Sequence, residues 1–199
     1  MNIALFGTSA NPPTIGHLTI LQVLADRFDH VAVWAADNPF KSDQLPLHHR
    51  LQMLQLLIQE AQLPPDKVQL YTDLSHPHTL TTLERAQRRW PEAQFTLVVG
   101  MDVVPQLPHW YRASELLRQV RVYIVPRQGY SLEPADVDRL RQMGAQVSVA
   151  DITPPAVSST HYREHGYSAS LMPSIKDYIE REQLYVWQDE TTEKPPVHP

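Results

Sequence analysis

Two short stretches hold the residue types that can grip a phosphate. The first, "GTSANPPTIGH" from Gly7 to His17, closes an apolar run, Ile3-Ala4-Leu5-Phe6, and opens an apolar-periodic segment. A glycine directly after a strand lets backbone N–H groups approach an anion with no Cβ in the way. Gly7, Thr8 and Ser9 are therefore candidates for a phosphate cradle. Thr14-Ile15-Gly16-His17 begins a helix, where unpaired N–H groups and the helix dipole favour negative charge. Gly16 leaves one side of the first turn bare, and His17 can aim a ring nitrogen at whatever sits there. The second stretch is "PPAVSSTHYREHG". Ser158, Ser159 and Thr160 supply hydroxyls and an N-cap for a short helix, with Arg163 one turn further on. Hydroxyls, a helix start and a guanidinium on one face make a polyphosphate clamp. Each stretch also has a plainer reading: a packed histidine at a helix start, and a capped helix with a solvated arginine.

The elements that must position these residues can be read from apolar spacing. Ile3 to Phe6, Val31 to Ala35, Val68 to Tyr71, "FTLVVG", "VRVYIV" and Val147 to Val149 read as strands. Helices are expected over Ile15 to Phe28, around Leu47 to Ile58, over Leu80 to Trp90, from about Pro134 to Met143, over "SSTHYREHG" and over "MPSIKDYIEREQLY". A broken helical region is expected between Gly100 and Leu117. Strands alternating with helices predict an α/β fold, a Rossmann-like doubly wound parallel sheet with helices on both faces. Such sheets bind ligands at their carboxyl edge. One domain is expected over residues 1–188, with 189–199 a disordered tail.

Composition narrows the function classes. The 199 residues carry a formal net charge of −5 with no Lys/Arg block, which argues against binding nucleic acid through its backbone. No apolar run approaches a membrane span, and the N-terminus lacks the pattern of a signal peptide, so a cytoplasmic protein is expected. Zero cysteines exclude disulfides and thiolate metal sites. Positive groups that meet an anion must therefore be local and few.

With both stretches in view, the sequence resembles the nucleotidyltransferase superfamily. "GTSANPPTIGH" is similar to its first signature, a Gly-rich turn, Asp or Asn before Pro, then His/Thr-x-Gly-His; "VSSTHYR" is similar to its second, Ile-Ser-Ser-Thr-x-x-Arg. Between them, "VVGMDVVPQLPHWYRASELL" resembles the Gly-x-Asp…Trp block of bacterial nicotinate-mononucleotide adenylyltransferases. "HPHTLTTLERA" resembles their Tyr-Thr-x-x-Thr-Leu segment, "VYIVPRQGY" their Arg-x-Gly-Tyr strand end, and "MPSIKDYIEREQLY" their closing helix. The likeness spans about residues 1–186. Three positions depart from the pattern: Ala10 stands where Phe is usual, Thr8 replaces a second Gly, and Thr14 replaces the first His. The loop "ADNPFKSDQLPLHHR" matches only loosely.

The resemblance implies an enzyme that joins the AMP moiety of ATP to nicotinate mononucleotide, releasing pyrophosphate, in NAD biosynthesis. It implies His17, Thr14 and Arg163 as the catalytic set, and Gly7, Thr8, Ser9, Gly100, Asp102, Ser159 and Thr160 as further ATP-binding residues. Asp102 would accept from a ribose hydroxyl; its alternative is a helix cap. Trp110 would stack on the pyridine ring rather than simply pack in the core, and Thr79 and Thr82 would face the ring substituent. Lys41 and Arg127, with Arg50, are candidate phosphate contacts. Mg²⁺ is expected as cofactor, held mainly by ATP phosphates. No protein metal site is expected, since His48-His49 and His76-Pro77-His78 lack an acidic partner at a recognisable spacing. The expected partners are ATP and a pyridine mononucleotide, with no nucleic acid and no membrane; self-association is left open. Two alternatives stand: a preference for the amide mononucleotide, or a non-catalytic nucleotide-binding module.

Overall fold

The computed structural model describes residues 1–37, 44–166 and 168–185. The first half of the chain forms β1 (Asn2–Thr8), α1 (Ile15–Arg27), β2 (His30–Ala35), α2 (Leu47–Glu60) and β3 (Val68–Leu70). The second half forms α3 (Thr79–Arg89), β4 (Gln94–Gly100), α4 (Ala113–Gln119), β5 (Arg121–Val125), α5 (Pro134–Gln142) and β6 (Gln146–Val149), closed by α6 (Ser159–His165) and α7 (Pro173–Arg181). Every strand and helix expected from the spacing is present. The broken region past Gly100 is a 3₁₀ segment, Met101–His109, with Pro105 and Pro108 inside it. Neither proline can donate a backbone hydrogen bond, so a regular α-helix cannot form there.

The six strands form one parallel sheet in the order β3-β2-β1-β4-β5-β6. The chain starts at the centre, steps outward through β2 to β3, then returns past β1 to lay down β4, β5 and β6 on the other side. Strand order reverses between β1 and β4, and the crevice outside their carboxyl ends is where this fold class receives ligands. Both signature stretches feed into that edge.

Side chains alternate along each strand between two apolar layers. β1 sends Ala4 and Phe6 to one layer and Ile3 and Leu5 to the other. On the first face, α1 contributes Leu21 and Leu24, α2 contributes Met53, Leu54 and Leu57, and α7 contributes Ile175 and Ile179. On the second, α3 contributes Leu80, Leu83 and Ala86, α4 contributes Leu116 and Leu117, and α5 contributes Leu140. Covered on both faces, β1 and β2 are nearly continuous apolar runs, as their sequences suggested. The sheet is thus held rigidly from both sides, and its carboxyl edge is a fixed platform for the loops above it.

Candidate active site

The β1–α1 loop crosses the carboxyl edge of the central strand and delivers His17 to the first turn of α1. The Thr14 backbone N–H lies 3.0 Å from His17 Nδ1. A backbone N–H can only donate, so Nδ1 is the unprotonated nitrogen and Nε2 carries the proton. Nε2 in turn donates to Thr8 Oγ1 at 2.9 Å, at the last residue of β1. The Thr14 hydroxyl lies 3.0 Å from the same Nδ1, and Thr14 is 1% exposed. The ring is therefore fixed in one tautomer with its N–H turned toward the strand end. Burial, and secondarily the positive charge of Arg127, lowers its pKa to about 4. At neutral pH His17 is an uncharged donor.

α6 is fastened directly to this loop. Ser159 Oγ donates to the Pro12 carbonyl at 2.7 Å, and Arg163 Nη1 donates to the Asn11 carbonyl at 2.7 Å, across 147 and 152 positions of sequence. Arg163 Nη2 also lies 3.3 Å from Thr160 Oγ1. Ser158 caps the helix by accepting from the His161 N–H. The first turn of α1 comes equally close: a Cβ on Gly16 would lie 3.3 Å from Val157 Cγ2. The two signature stretches, near opposite ends of the chain, thus meet over one strand end.

A supporting layer lies beneath. Asn11 is 1% exposed, and its Oδ1 accepts from the Leu45 N–H at 3.2 Å and from the Tyr185 hydroxyl at 2.7 Å. Arg50, 2% exposed, donates to the carbonyls of Ser9, Ala36 and Leu45. Its guanidinium ties the β1–α1 loop to the segment after β2, which is a structural use for a residue expected on a phosphate. Gly7 also has a packing reason: a Cβ there would lie 2.4 Å from the Trp34 ring. Asn11, Trp34 and Tyr185 as supports were not foreseen. Asn11 stands within the signature loop, but Trp34 and Tyr185 carry no sequence signal for this role, because the loop they support lies far from them in sequence.

At the end of β4, a Cβ on Gly100 would meet Asp102 Oδ1 at 2.5 Å, so the glycine makes room for that carboxylate. Asp102 is ion-paired with Arg127, which stands just past the end of β5. Trp110 is half-buried against the second apolar layer. Thr79 opens α3 and is partly exposed. Thr82 differs from expectation: it is fully buried, and its hydroxyl donates to the Leu74 carbonyl at 2.8 Å. In this conformation it faces the core, because it lies on the inner side of α3. Ser159 likewise commits its hydroxyl hydrogen to Pro12, whereas a guanidinium has five donors and can serve both a loop carbonyl and an anion. Lys41 lies outside the described residues. Among the described residues no group of three or more His, Cys, Asp or Glu side chains gathers that could hold a metal ion. An open groove of about 430 Å³ lies at the opposite, amino edge of the sheet and gathers none of these residues.

Comparison with known proteins bears on this geometry. A family model described as cytidylyltransferase-like matches residues 5–165. A probable nicotinate-nucleotide adenylyltransferase of Synechocystis sp. is 44% identical, over 93% of this chain and 99% of its own length. The chain belongs to the nicotinate-nucleotide adenylyltransferase family. A Bacillus subtilis nicotinate-nucleotide adenylyltransferase is 29% identical over 92% of this chain and 97% of its own. The fold of this adenylyltransferase matches that of Plasmodium falciparum nicotinic acid mononucleotide adenylyltransferase complexed with NaAD, with a TM-score of 0.78 at 18% identity, covering 92% of this chain and 97% of that one. The adenylyltransferase signatures are therefore seated on the fold that the family uses. Among the described residues no helix is long and apolar enough to cross a membrane.

Proposed function

We propose that this chain joins ATP to nicotinate mononucleotide, giving the deamido dinucleotide and pyrophosphate, in NAD biosynthesis. Family membership supports the reaction. The observation that carries the site assignment is the convergence of His17, in its Nε2–H tautomer, with a loop clipped to Ser159 and Arg163. An oxygen of the mononucleotide 5′-phosphate attacks the α-phosphorus of ATP. The bond from that phosphorus to the bridging oxygen breaks, and its electron pair leaves with pyrophosphate. No proton has to move for this exchange, so catalysis is alignment plus stabilisation of charge growing on the phosphate oxygens. A neutral His17 donates Nε2–H to that charge, exchanging the Thr8 hydroxyl it meets without substrate for a phosphate oxygen, and does not act as a base. Thr14 holds the tautomer from behind. Arg163 serves the β- and γ-phosphates while its other arm keeps the loop in place, and Ser159 supports it.

Mg²⁺ arrives with ATP as part of the substrate, since a hard cation takes phosphate oxygens and water. Asp102 receives a ribose hydroxyl, Trp110 covers the pyridine face, and Arg127 contacts the mononucleotide phosphate. A cytoplasmic location goes with this reading. The amide mononucleotide remains the second reading, because the Thr82 hydroxyl is engaged with Leu74 and so does not itself select the acid.

Pyrophosphate release with purified protein and Mg-ATP tests all three readings. The expected result is a kcat/KM for nicotinate mononucleotide at least about tenfold above that for the amide, a difference of one hydrogen bond's worth of binding. A reversed preference selects the amide enzyme. ATP binding without pyrophosphate release from either substrate leaves a non-catalytic module.

A further inference from the structure

Given the reading in which α6 meets the β- and γ-phosphates of ATP, we propose that Tyr185 is a positioning residue for that triphosphate, acting through Asn11 on Arg163.

Three parts of the chain meet on Asn11. Its carbonyl takes Arg163 Nη1 from α6 at 2.7 Å. Its side chain takes two more donors, the Leu45 N–H at 3.2 Å and the Tyr185 hydroxyl at 2.7 Å. A backbone N–H only donates, so the atom between those two is the amide oxygen. Asn11 is 1% exposed and has little access to water that could replace either donor. The phenolic bond is the shorter of the two and reaches across 174 positions of sequence. It therefore ties the signature loop to chain beyond α7.

Tyr185 is held at that post against its backbone preference. Its φ is 55°, a left-handed conformation that a bulky side chain keeps only where its surroundings impose it. Those surroundings are specific. The ring stands edge-on to Tyr162, with centroids 5.9 Å apart and planes at 87°, and Tyr162 is the buried residue of α6 next to Arg163. Just before it, the Leu184 N–H returns to the Ile179 carbonyl of α7 at 2.9 Å, and Ile175 and Ile179 seat that helix in the first apolar layer. Burial, chiefly, raises the pKa of the phenol, so the hydroxyl keeps the proton it donates. The charges of Arg163 and Arg50 both reach it.

The consequence is selective. With the amide oxygen pinned from two sides, the Asn11 carbonyl points steadily at one arm of Arg163. A guanidinium has five donors, and fixing one arm orients the others for phosphate. Without the phenolic hydroxyl, Asn11 can turn and Arg163 loses its bearing. Trp110 and Arg127, which serve the mononucleotide, stand beyond β4 and β5, so binding of that substrate is spared.

Tyr185→Phe tests this in the full-length protein, since it keeps the ring against Tyr162 and removes only the hydroxyl; far-UV circular dichroism checks its fold. Calorimetric titration with Mg-ATP and initial rates of pyrophosphate release are the readouts. The Kd and KM for Mg-ATP are expected to rise about tenfold, one hydrogen bond's worth of binding. The KM for nicotinate mononucleotide should stay within about twofold of wild type. In an Arg163→Ala background Tyr185→Phe should add nothing to the Kd, because the two residues act in series. An unchanged Kd for Mg-ATP overturns the proposal. So does an equal rise in both KM values, which is what mere loosening of the fold would give, or a full additive loss in the Arg163→Ala protein. Mg-ATP binding is read without turnover, so absent pyrophosphate release would sink the reaction while the Tyr185 comparison still decides this role.

Discussion

In the proposed reaction His17 acts through one proton. Its Nδ1 faces the Thr14 N–H, so protonating the ring would set donor against donor in a buried place. Burial, and after it the charge of Arg127, holds its pKa at about 4, and that conflict acts in the same direction. His17→Ala is expected to lower kcat about 10²–10³-fold, as loss of one charge-stabilising donor does, with ATP affinity nearly unchanged. Initial rates beside equilibrium ATP binding check this; a near-normal kcat removes the residue from the mechanism. An unfolded histidine titrates near 6.5. Between pH 6.5 and 4 the unfolded chain takes up a proton that folded His17 refuses, so this residue's contribution to stability is present above about 6.5 and is lost as pH falls toward 4. The ¹⁵N spectrum of the His17 ring is expected to show the neutral Nε2–H form still dominant at pH 6. A midpoint near 6.5 contradicts the lowered pKa, and a neutral ring protonated on Nδ1 contradicts the tautomer assignment.

At the scale of elements, the loops above the sheet are held by side chains that spend their hydrogen bonds on backbone carbonyls. Arg50 is the densest such link, joining Ser9, Ala36 and Leu45 from within α2. Arg50→Met keeps the bulk and removes every donor, leaving buried carbonyls unpaired. The expected cost is on the order of 3 kcal/mol, from more than one lost charge-assisted bond, read from urea unfolding. A loss below about 0.5 kcal/mol would mean that water or other donors replace the guanidinium. Apolar spacing placed α2 correctly, but it could not say whether Arg50 turns inward or out, because long basic side chains reach either way. Thr82 shows the same limit. Its position on α3 followed from helical periodicity, whereas the engagement of its hydroxyl with Leu74 depends on how the preceding loop folds back.

For the whole molecule, the β1–α1 loop and α6 form one hydrogen-bonded unit from distant parts of the chain. A ligand that bridges them stabilises the fold by linkage, about 2.7 kcal/mol at a hundredfold excess over its Kd. Mg-ATP is expected to raise the Tm of wild type and to do so far less in Arg163→Ala at the same concentration. Equal shifts would mean that the triphosphate does not engage α6.

The order of strands and helices, the two signature stretches and the likeness to adenylyltransferases were all legible in the sequence, because each rests on spacing within a few turns of chain. Tertiary structure alone decided that Arg163 reaches Asn11 and Ser159 reaches Pro12, that Gly7 makes room for the Trp34 ring, and that His17 holds its proton on Nε2. Those facts depend on which strands become neighbours in the β3-β2-β1-β4-β5-β6 sheet. Local periodicity carries no information about that order, and hydrogen-bond partners follow from it.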